Sequence, residues 1–280
     1  MKKWQIVADS SCDIQDRDFK DDLISFCSIP FFIHIGDKVY IDDDGLDTKE
    51  MLDALDSCAV AASTACPSPL SWSEKFQKFE KNIAIAITGS LSGSFASAVN
   101  GREMTLEEQP GTDIAVLNSR STGPALILCI EKLKEMIHEG LDFSEISKKA
   151  EEFIHNTNTV FALNSYENLI KAGRMSRTAG FAAKLFGIWG IGVASDEGTI
   201  DIIGKARGAI KSIDVIINNM KHNNFLGGKV AISQCHSAEN AELLKKKILE
   251  LWPTSRVDIY PTRGLCSYYA ERGGLIVSYI

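Results

Sequence analysis

The sequence lacks features that define several large classes of protein. Among its 280 residues, 30 lysines and arginines face 37 aspartates and glutamates, giving a net charge of −7. The basic residues are dispersed along the chain, unlike the clustered basic surface of a nucleic-acid-binding protein. No apolar run reaches the roughly 18 residues that a membrane-spanning helix needs. We therefore expect a protein that binds no nucleic acid and has no membrane span.

The cysteine pattern and the first residues favour a reducing compartment, and we expect neither a disulfide framework nor a signal peptide. The seven cysteines are an odd number and form no C-x-x-C pair, which favours free thiols over a disulfide framework or a zinc site. The first residues, MKKWQIVADSS, contain too few apolar residues for the core of a signal peptide. These patterns predict a cytoplasmic protein without a bound metal.

What the first half does contain is an alternation of β-rich runs with helical patterns. The runs at 5–8, 29–35, 83–87 and 114–117 are separated by amphipathic, capped segments, which is typical of a parallel sheet flanked by helices. We assign residues 1–156 to an N-terminal α/β domain of this kind.

The second half has a different pattern. Asp196, Glu197 and Gly198 separate two β-rich runs and predict a hairpin, so part of this sheet should be antiparallel. Helical patterns then alternate with further strands up to the end of the chain. We assign residues 157–280 to a C-terminal α/β domain with a mixed sheet.

Four loops that follow β-rich runs are rich in serine, threonine or asparagine: 9–11, 64–68, 88–94 and 118–122. Ligands of parallel α/β sheets bind outside the carboxyl ends of the strands. We therefore expect these loops to line one crevice.

The loop within ITGSLSGSFASA, residues 87–98, raises the question of a catalytic serine or a nucleotide. A serine-hydrolase elbow, G-x-S-x-G, fails because the second residue after each glycine is Leu91 or Phe95. A phosphate-binding P-loop fails because Ser94 stands where a lysine is needed, so no nucleotide cofactor is predicted. The loop is either a turn whose serines cap a helix or a set of hydroxyls and amides that binds an anion.

A second unusual segment, 181–193, is dense in aromatic residues, small residues and glycine. This composition fits an ordinary buried helix and strand, or walls beside a long apolar ligand.

Four motifs occur in the order and spacing of the DegV family, which the chain resembles over essentially its full length. They are Asp9-Ser10 with Asp13, Thr64-Ala65-Cys66-Pro67-Ser68, Leu91-Ser92-Gly93-Ser94-Phe95, and Lys171-Ala172-Gly173-Arg174-Met175-Ser176. The resemblance implies two α/β domains that enclose one long-chain fatty acid. It also implies a binding subunit without chemistry of its own, which presents the acid to an ATP-dependent fatty-acid kinase.

Carried over by position, the resemblance implies that Thr64 and Ser92 hydrogen-bond the carboxylate, with Ser94 in support. Arg174 would lie near the carboxylate or face the kinase. Members of the family often carry a histidine in a His-x-Gly-Pro-Gly stretch near the C-terminus, whereas residues 264–274 contain none.

Tyr269 stands near the position of that histidine and can donate a hydrogen bond. We expect Tyr269 to take over part of the carboxylate contact, with Glu271 turned away or paired to Arg272 or Arg263. The alternative is that Tyr268 and Tyr269 only pack in the final sheet.

Two other functions remain open on the sequence. One is a serine-dependent acyl hydrolase or a phosphotransferase that uses the same cleft. The other is a ligand-sensing interaction protein in which the acid is a structural filler.

Overall fold

The computed structural model describes residues 3–58, 60, 62–175 and 187–280. In chain order the strands are β1 (Trp4–Asp9), β2 (Ile24–Ile29), β3 (Phe32–Ile35), β4 (Lys38–Ile41), β5 (Ser63–Ala65), β6 (Lys81–Ala86), β7 (Asp113–Asn118), β8 (Asn158–Leu163), β9 (Ile188–Ala194), β10 (Ile200–Arg207), β11 (Lys229–Gln234), β12 (Arg256–Pro261) and β13 (Leu275–Tyr279). The helices are α1 (Thr48–Ser57), α2 (Pro69–Phe76), α3 (Ser94–Glu108), α4 (Pro124–His138), α5 (Phe143–Asn156), α6 (Glu167–Lys171), α7 (Ala209–His222), α8 (Ala238–Leu251) and α9 (Gly264–Ala270).

The first half is built on a parallel sheet in the order β2-β1-β6-β7. Side chains alternate between its faces, as the pleat of a strand requires. Ile6 and Ile83 pack with α4 and α5, whereas Val7 and Ala84 pack with α2 and α3. The predicted parallel sheet flanked by helices is confirmed.

The second half is built on a mixed sheet in the order β10-β9-β8-β13-β11-β12, in which only β11 and β12 are parallel neighbours within the described residues. Val160 and Val277 face α7 and α8, while Phe161 and Ile276 face the opposite side. β9 and β10 form the predicted hairpin around residues 195–199. The predicted mixed sheet is therefore also confirmed.

The predicted single strand at 29–35 is wrong. β2 ends at Ile29, Pro30 interrupts the run, and β3 begins at Phe32 in a separate antiparallel sheet of order β4-β3-β5. Proline cannot donate to a sheet ladder, and the Phe31 amide instead donates to the Ser10 hydroxyl at 3.0 Å. The chain therefore leaves the parallel sheet at this point.

This small antiparallel sheet packs against the second half of the chain. Ile33 and Met51 share one buried cluster with Phe161, Leu163 and further residues of the C-terminal sheet. The boundary between residues 156 and 157 stays a prediction, and the core of the second half includes residues that precede it.

No helix in the part of the chain that the structure describes is long and apolar enough to cross a membrane.

Candidate ligand-binding site

A cavity of about 380 Å³ lies between the two large sheets. Its volume falls within the range of about 300–1,000 Å³ that is typical of small-molecule sites. The described residues that line it are Phe31, Thr64, Ala65, Cys66, Ile87, Thr88, Leu91, Ser92, Gly93, Arg120, Ser121, Thr122, Thr159, Phe161, Leu163, Leu169, Arg174, Ala194, Gly198, Thr199, Ile200, Leu265, Cys266, Tyr269, Ala270 and Ile276.

The charge of this lining is opposite to that of the whole protein. Among the described lining residues, Arg120 and Arg174 are the charged ones, and the lining includes no aspartate, glutamate, lysine or histidine. The chain itself carries a net charge of −7. The cavity is therefore electrostatically suited to an anion whose remaining surface is apolar.

Two hydroxyl groups meet at the wall of the cavity. Thr64, in the middle of β5, and Tyr269, in the last turn of α9, have their hydroxyl oxygens 3.1 Å apart. A hydrogen bond between two hydroxyls uses one of their two protons, so the pair retains one proton for a ligand.

The loop that follows β6 supplies a third hydroxyl. The amides of Leu91 and Ser92 donate to the carbonyl of Thr88 at 3.3 and 3.2 Å, which folds the loop into a tight turn. The Ser92 hydroxyl lines the cavity and accepts a hydrogen bond from the Ser94 amide at 3.3 Å. Its own proton can then point to a ligand in the cavity.

Ser94 does not line the cavity. Its side chain is fully buried, and its hydroxyl donates to Asp9 at 2.6 Å. Ser94 is therefore buried beneath the loop, whereas Ser92 lines the cavity.

Arg174 lies at the cavity beside the same loop. Its Nε donates to the carbonyl of Leu91 at 3.1 Å, and its Nη1 donates to the carbonyl of Ala172 at 2.5 Å. The guanidinium is half-buried, so it is held next to Ser92 while part of it stays accessible. Ser176, the last residue of the predicted motif, lies outside the described residues.

The apolar wall is formed mainly by β8 and its neighbours. Phe161 and Leu163 project into the cavity from alternate positions of β8. The Phe161 ring lies over Gly192 of β9, where an added Cβ atom would stand 2.5 Å from the ring. Residues 188–193 of the segment expected to form apolar walls are therefore in place as a strand, and residues 181–186 lie outside the described residues.

Another side of the cavity is closed by contacts between the two halves of the chain. Three side chains of the first half donate to three successive carbonyls of the β9–β10 turn: Thr88 to Gly198 at 2.8 Å, Ser90 to Glu197 at 2.5 Å and Arg120 to Asp196 at 3.3 Å. Arg120 also contacts Nδ1 of His155 at 3.1 Å. These bonds attach the β9–β10 turn to the first half of the chain at the edge of the cavity.

The helix that carries Tyr269 is held by a buried carboxylate. Asp42 accepts the amides of Gly264 and Leu265, the first two residues of α9, at 2.7 and 2.8 Å. Burial raises the pKa of Asp42, and the nearby guanidinium of Arg263 opposes this shift. The neighbouring Asp13 accepts the amide of Arg263 at 2.7 Å, and burial raises the pKa of Asp13 to about 7.

Of the two expectations for Glu271, pairing with Arg272 or Arg263 is wrong, whereas a side chain turned away from the head group agrees with its absence from the described cavity lining. Glu271 accepts hydrogen bonds from Ser165 and Asn168 at 2.7 and 3.4 Å. Arg272 instead contacts Asp53 and Asp56 of α1, and Arg263 lies by Asp42. Glu271 follows the last residue of α9 with a positive φ of 52° and an extended ψ of 172°.

The alternative in which Tyr268 and Tyr269 pack in the final sheet does not describe their location. Both lie on α9, and their rings form an edge-to-face pair with centroids 4.7 Å apart. The Tyr268 hydroxyl donates to the carbonyl of Ala62 at 3.0 Å, away from the Thr64 hydroxyl. Of the two tyrosines, only Tyr269 lines the cavity.

Three of the four predicted loops line the cavity, and the loop at 9–11 does not. Asp9, Ser10 and Ser11 are fully buried below it and bind other loops. Sequence reasoning included Arg120 only as part of the 118–122 loop and missed Phe161 and Leu265, because nothing in their local sequence distinguishes a cavity wall from a core position.

No group of three or more histidine, cysteine, aspartate or glutamate side chains is arranged to bind a metal in the described part of the chain.

Comparison with known proteins places the chain in a family. The family model described as "Uncharacterised protein, DegV family" matches residues 3–280. A DegV domain-containing protein of Streptococcus pneumoniae is 35% identical over 276 residues, covering 99% of this chain and 98% of that protein.

Two solved structures of similar sequence contain a fatty acid. The fatty acid kinase (Fak) B3 protein of Streptococcus pneumoniae, loaded with linoleic acid, superposes with a TM-score of 0.96 at 35% identity, covering 100% of this chain and 99% of that one. A DegV family protein of Eubacterium eligens, loaded with heptadecanoic acid, has a TM-score of 0.93 at 35% identity and 98% coverage of both chains. From its sequence, its architecture of two large sheets and a small one, and its full-length match, the chain belongs to the DegV family.

Proposed function

We propose that this protein binds one long-chain fatty acid in the cavity between its two large sheets. The observation that carries the proposal is the lining itself, in which a cluster of hydroxyls and two arginines faces an apolar wall without any described acidic residue. The two similar proteins that contain linoleic acid and heptadecanoic acid support the same class of ligand.

The carboxylate is held by the hydroxyls of Thr64, Ser92 and Tyr269. The Thr64–Tyr269 pair offers one proton and Ser92 offers another, so each carboxylate oxygen receives a hydrogen bond. These bonds offset the cost of several kcal/mol that an unpaired carboxylate would incur on leaving water. Arg174, beside the Ser92 loop, adds a positive charge.

The tail lies along the apolar wall formed by Phe161, Leu163 and Ile276. At about 0.8 kcal/mol per buried methylene, a chain of roughly 14 methylenes contributes on the order of 11 kcal/mol before the costs of ordering. A short acid would gain only a small part of this energy, which is why the proposal specifies a long chain.

The protein acts as a carrier in the cytoplasm that presents the acid to an ATP-dependent fatty-acid kinase, which forms the acyl phosphate. The similarity to a fatty acid kinase B3 protein supports this role. The partly accessible guanidinium of Arg174 supports it too, because it lies beside the Ser92 loop, next to the proposed carboxylate site.

A serine-dependent hydrolase in the same cleft has no support from the geometry. Ser92 accepts a backbone amide, and the described lining offers no histidine that could take its proton.

Native mass spectrometry of the purified protein, followed by organic extraction and chromatography, tests the proposal. The expected result is one saturated or unsaturated acid of about 14 to 18 carbons per chain. An empty protein that binds none of these acids after addition, or one that turns over acyl esters, would contradict it.

A further inference from the structure

We propose that Asp9 is a positioning residue for carboxylate recognition, which acts through Ser94 on the loop that carries Ser92. This inference rests on the proposed fatty-acid site and assigns a role to two residues that lie outside the cavity.

Asp9 binds both ends of the loop that carries Ser92 with its carboxylate. Its side chain is fully buried at the end of β1, and its Oδ2 accepts the Ile87 amide at 3.0 Å and the Ser94 hydroxyl at 2.6 Å. Ile87 and Ser94 are the two ends of the turn that contains Ser92. One carboxylate oxygen therefore fixes the entry and the exit of the turn at the same time.

The other oxygen of Asp9 anchors the carboxylate itself. Its Oδ1 accepts the amide and the hydroxyl of Ser11, at 3.2 and 2.5 Å. A buried carboxylate is costly unless it is fully hydrogen-bonded, and four donors meet this requirement. The same four donors prevent Asp9 from rotating, so its position is transmitted to the turn.

Ser94 connects this anchor to the ligand surface. Its hydroxyl is held by Asp9, and its amide donates to the Ser92 hydroxyl at 3.3 Å. That amide occupies one acceptor site of Ser92 and leaves the Ser92 proton available to a ligand in the cavity. Without the Asp9–Ser94 bond, Ser94, the first residue of α3, could move. The Ser92 side chain, which the Ser94 amide contacts, would then no longer be held in one orientation.

The test compares binding of palmitate with binding of its methyl ester, which has the same tail and no charge. The variants are Ser94→Ala, which deletes one bond, and Asp9→Asn, which leaves one acceptor oxygen for four donors. In Ser94→Ala the preference for the acid over the ester should fall about five- to ten-fold, with unchanged affinity for the ester. Ser94→Thr keeps the hydroxyl and should restore most of the preference.

Ser73→Ala is the matched control. The Ser73 hydroxyl of α2 is also buried, and it bonds to the Thr105 hydroxyl at 3.0 Å. Thr105 lies on α3, the helix that begins at Ser94, but near its other end. This variant should lose stability without changing the preference for the acid.

A second measurement does not depend on any ligand. Hydrogen–deuterium exchange of the peptide that covers residues 87–94 should become several-fold faster in Ser94→Ala and Asp9→Asn, and not in Ser73→Ala. The double variant of Asp9 and Ser94 should bind palmitate no more weakly than Asp9→Asn alone, because both changes break the same connection.

The outcomes separate the inference from the proposed function. If the parent protein binds no fatty acid, the proposed function fails. Suppose instead that the parent protein prefers palmitate over its methyl ester. If Ser94→Ala then keeps this preference and also the slow hydrogen–deuterium exchange of residues 87–94, only the positioning role of Asp9 is overturned. A double variant that binds palmitate more weakly than either single variant would instead favour a direct contact of Ser94 with the ligand.

Discussion

The hydroxyl groups of Thr64 and Tyr269 lie 3.1 Å apart although 205 positions separate the two residues in the chain. One comes from a short antiparallel strand and the other from the last turn of a C-terminal helix. Their meeting places two bonded hydroxyls at the wall of the cavity, with one proton left for a ligand.

Tyr269→Phe should lower the affinity for palmitate by about 1 kcal/mol or more, because it keeps the ring and removes one hydroxyl of the pair. Isothermal titration of the lipid-free protein measures this loss. Tyr268→Phe is the control, since its hydroxyl donates to the carbonyl of Ala62 and should not affect the acid. Equal affinities for parent and Tyr269→Phe would assign Tyr269 to packing.

Ser92→Ala and Thr64→Ala should each weaken retention of the acid by about 1 to 3 kcal/mol, because each removes a hydrogen bond to a charged group. The fraction of protein that retains acid after dialysis against lipid vesicles gives the effect. Ser71→Ala, which removes an exposed hydroxyl bonded to Ser68, serves as control. Unchanged occupancy in the Ser92 and Thr64 double variant would contradict the assignment of the head-group site.

Arg174→Ala should retain bound acid but lose acyl-phosphate formation with the cognate kinase and ATP. The guanidinium is held beside the Ser92 loop by the carbonyl of Leu91, where it can stabilise charge on a transferring phosphoryl group. Lys171→Ala, at an exposed lysine paired with Glu167, should keep the full rate. If Arg174→Ala forms acyl phosphate as fast as the parent, the arginine is only a surface charge.

Gly198→Ala should destabilise the fold by about 1–3 kcal/mol. Gly198 has a φ of 77°, and an added Cβ atom would overlap the Thr88 hydroxyl and lie 2.9 Å from Cα of Arg120. Gly204→Ala in β10 is the control, because its nearest neighbour would be 3.7 Å away. Urea denaturation should place the midpoint for Gly198→Ala clearly below that for Gly204→Ala, and equal midpoints would count against a close contact of the turn.

Asp13→Asn should reduce the dependence of stability on pH. Burial raises the pKa of Asp13 from 3.8 to about 7, so this group stabilises the fold most when it is protonated. That contribution is complete below pH 3.8 and is lost as the pH rises to about 7. Asp42, Arg263 and Cys266 surround the carboxyl and also shape its titration.

Urea denaturation at pH 5 and pH 8 measures this effect. Relative to Asp13→Asn, the parent should lose about 2–3 kcal/mol of unfolding free energy between the two values. A parallel pH dependence of the two proteins would show that Asp13 is ionised throughout.

Much of the fold follows from the sequence, because its signals are local. The helical patterns that alternate with further strands in the second half correspond to α7, α8, β11, β12 and β13. The turn at Asp196–Gly198 predicts the β9–β10 hairpin for the same reason. The order and spacing of short motifs indicate the DegV family from the sequence alone.

Only the tertiary structure decided which serine of the Leu91–Phe95 motif lines the cavity. Ser92 and Ser94 are two residues apart in the same motif, yet one lines the cavity and the other is bound to buried Asp9. Their directions depend on how the turn docks on β1. The sequence shows that the loop is rich in hydroxyl groups. Which of them are exposed to the cavity depends on how the loop packs against distant residues.

The split of the run 29–35 and the partners of Glu271 were likewise decided by distant contacts. Pro30 marks a break, but the new sheet forms because Ile33 is buried among residues of the C-terminal half. Hydrophobic pattern and turn chemistry act over a few residues and are readable from the sequence. A cavity between two sheets depends on pairings over more than a hundred residues, which burial and hydrogen-bond satisfaction settle only in the folded chain.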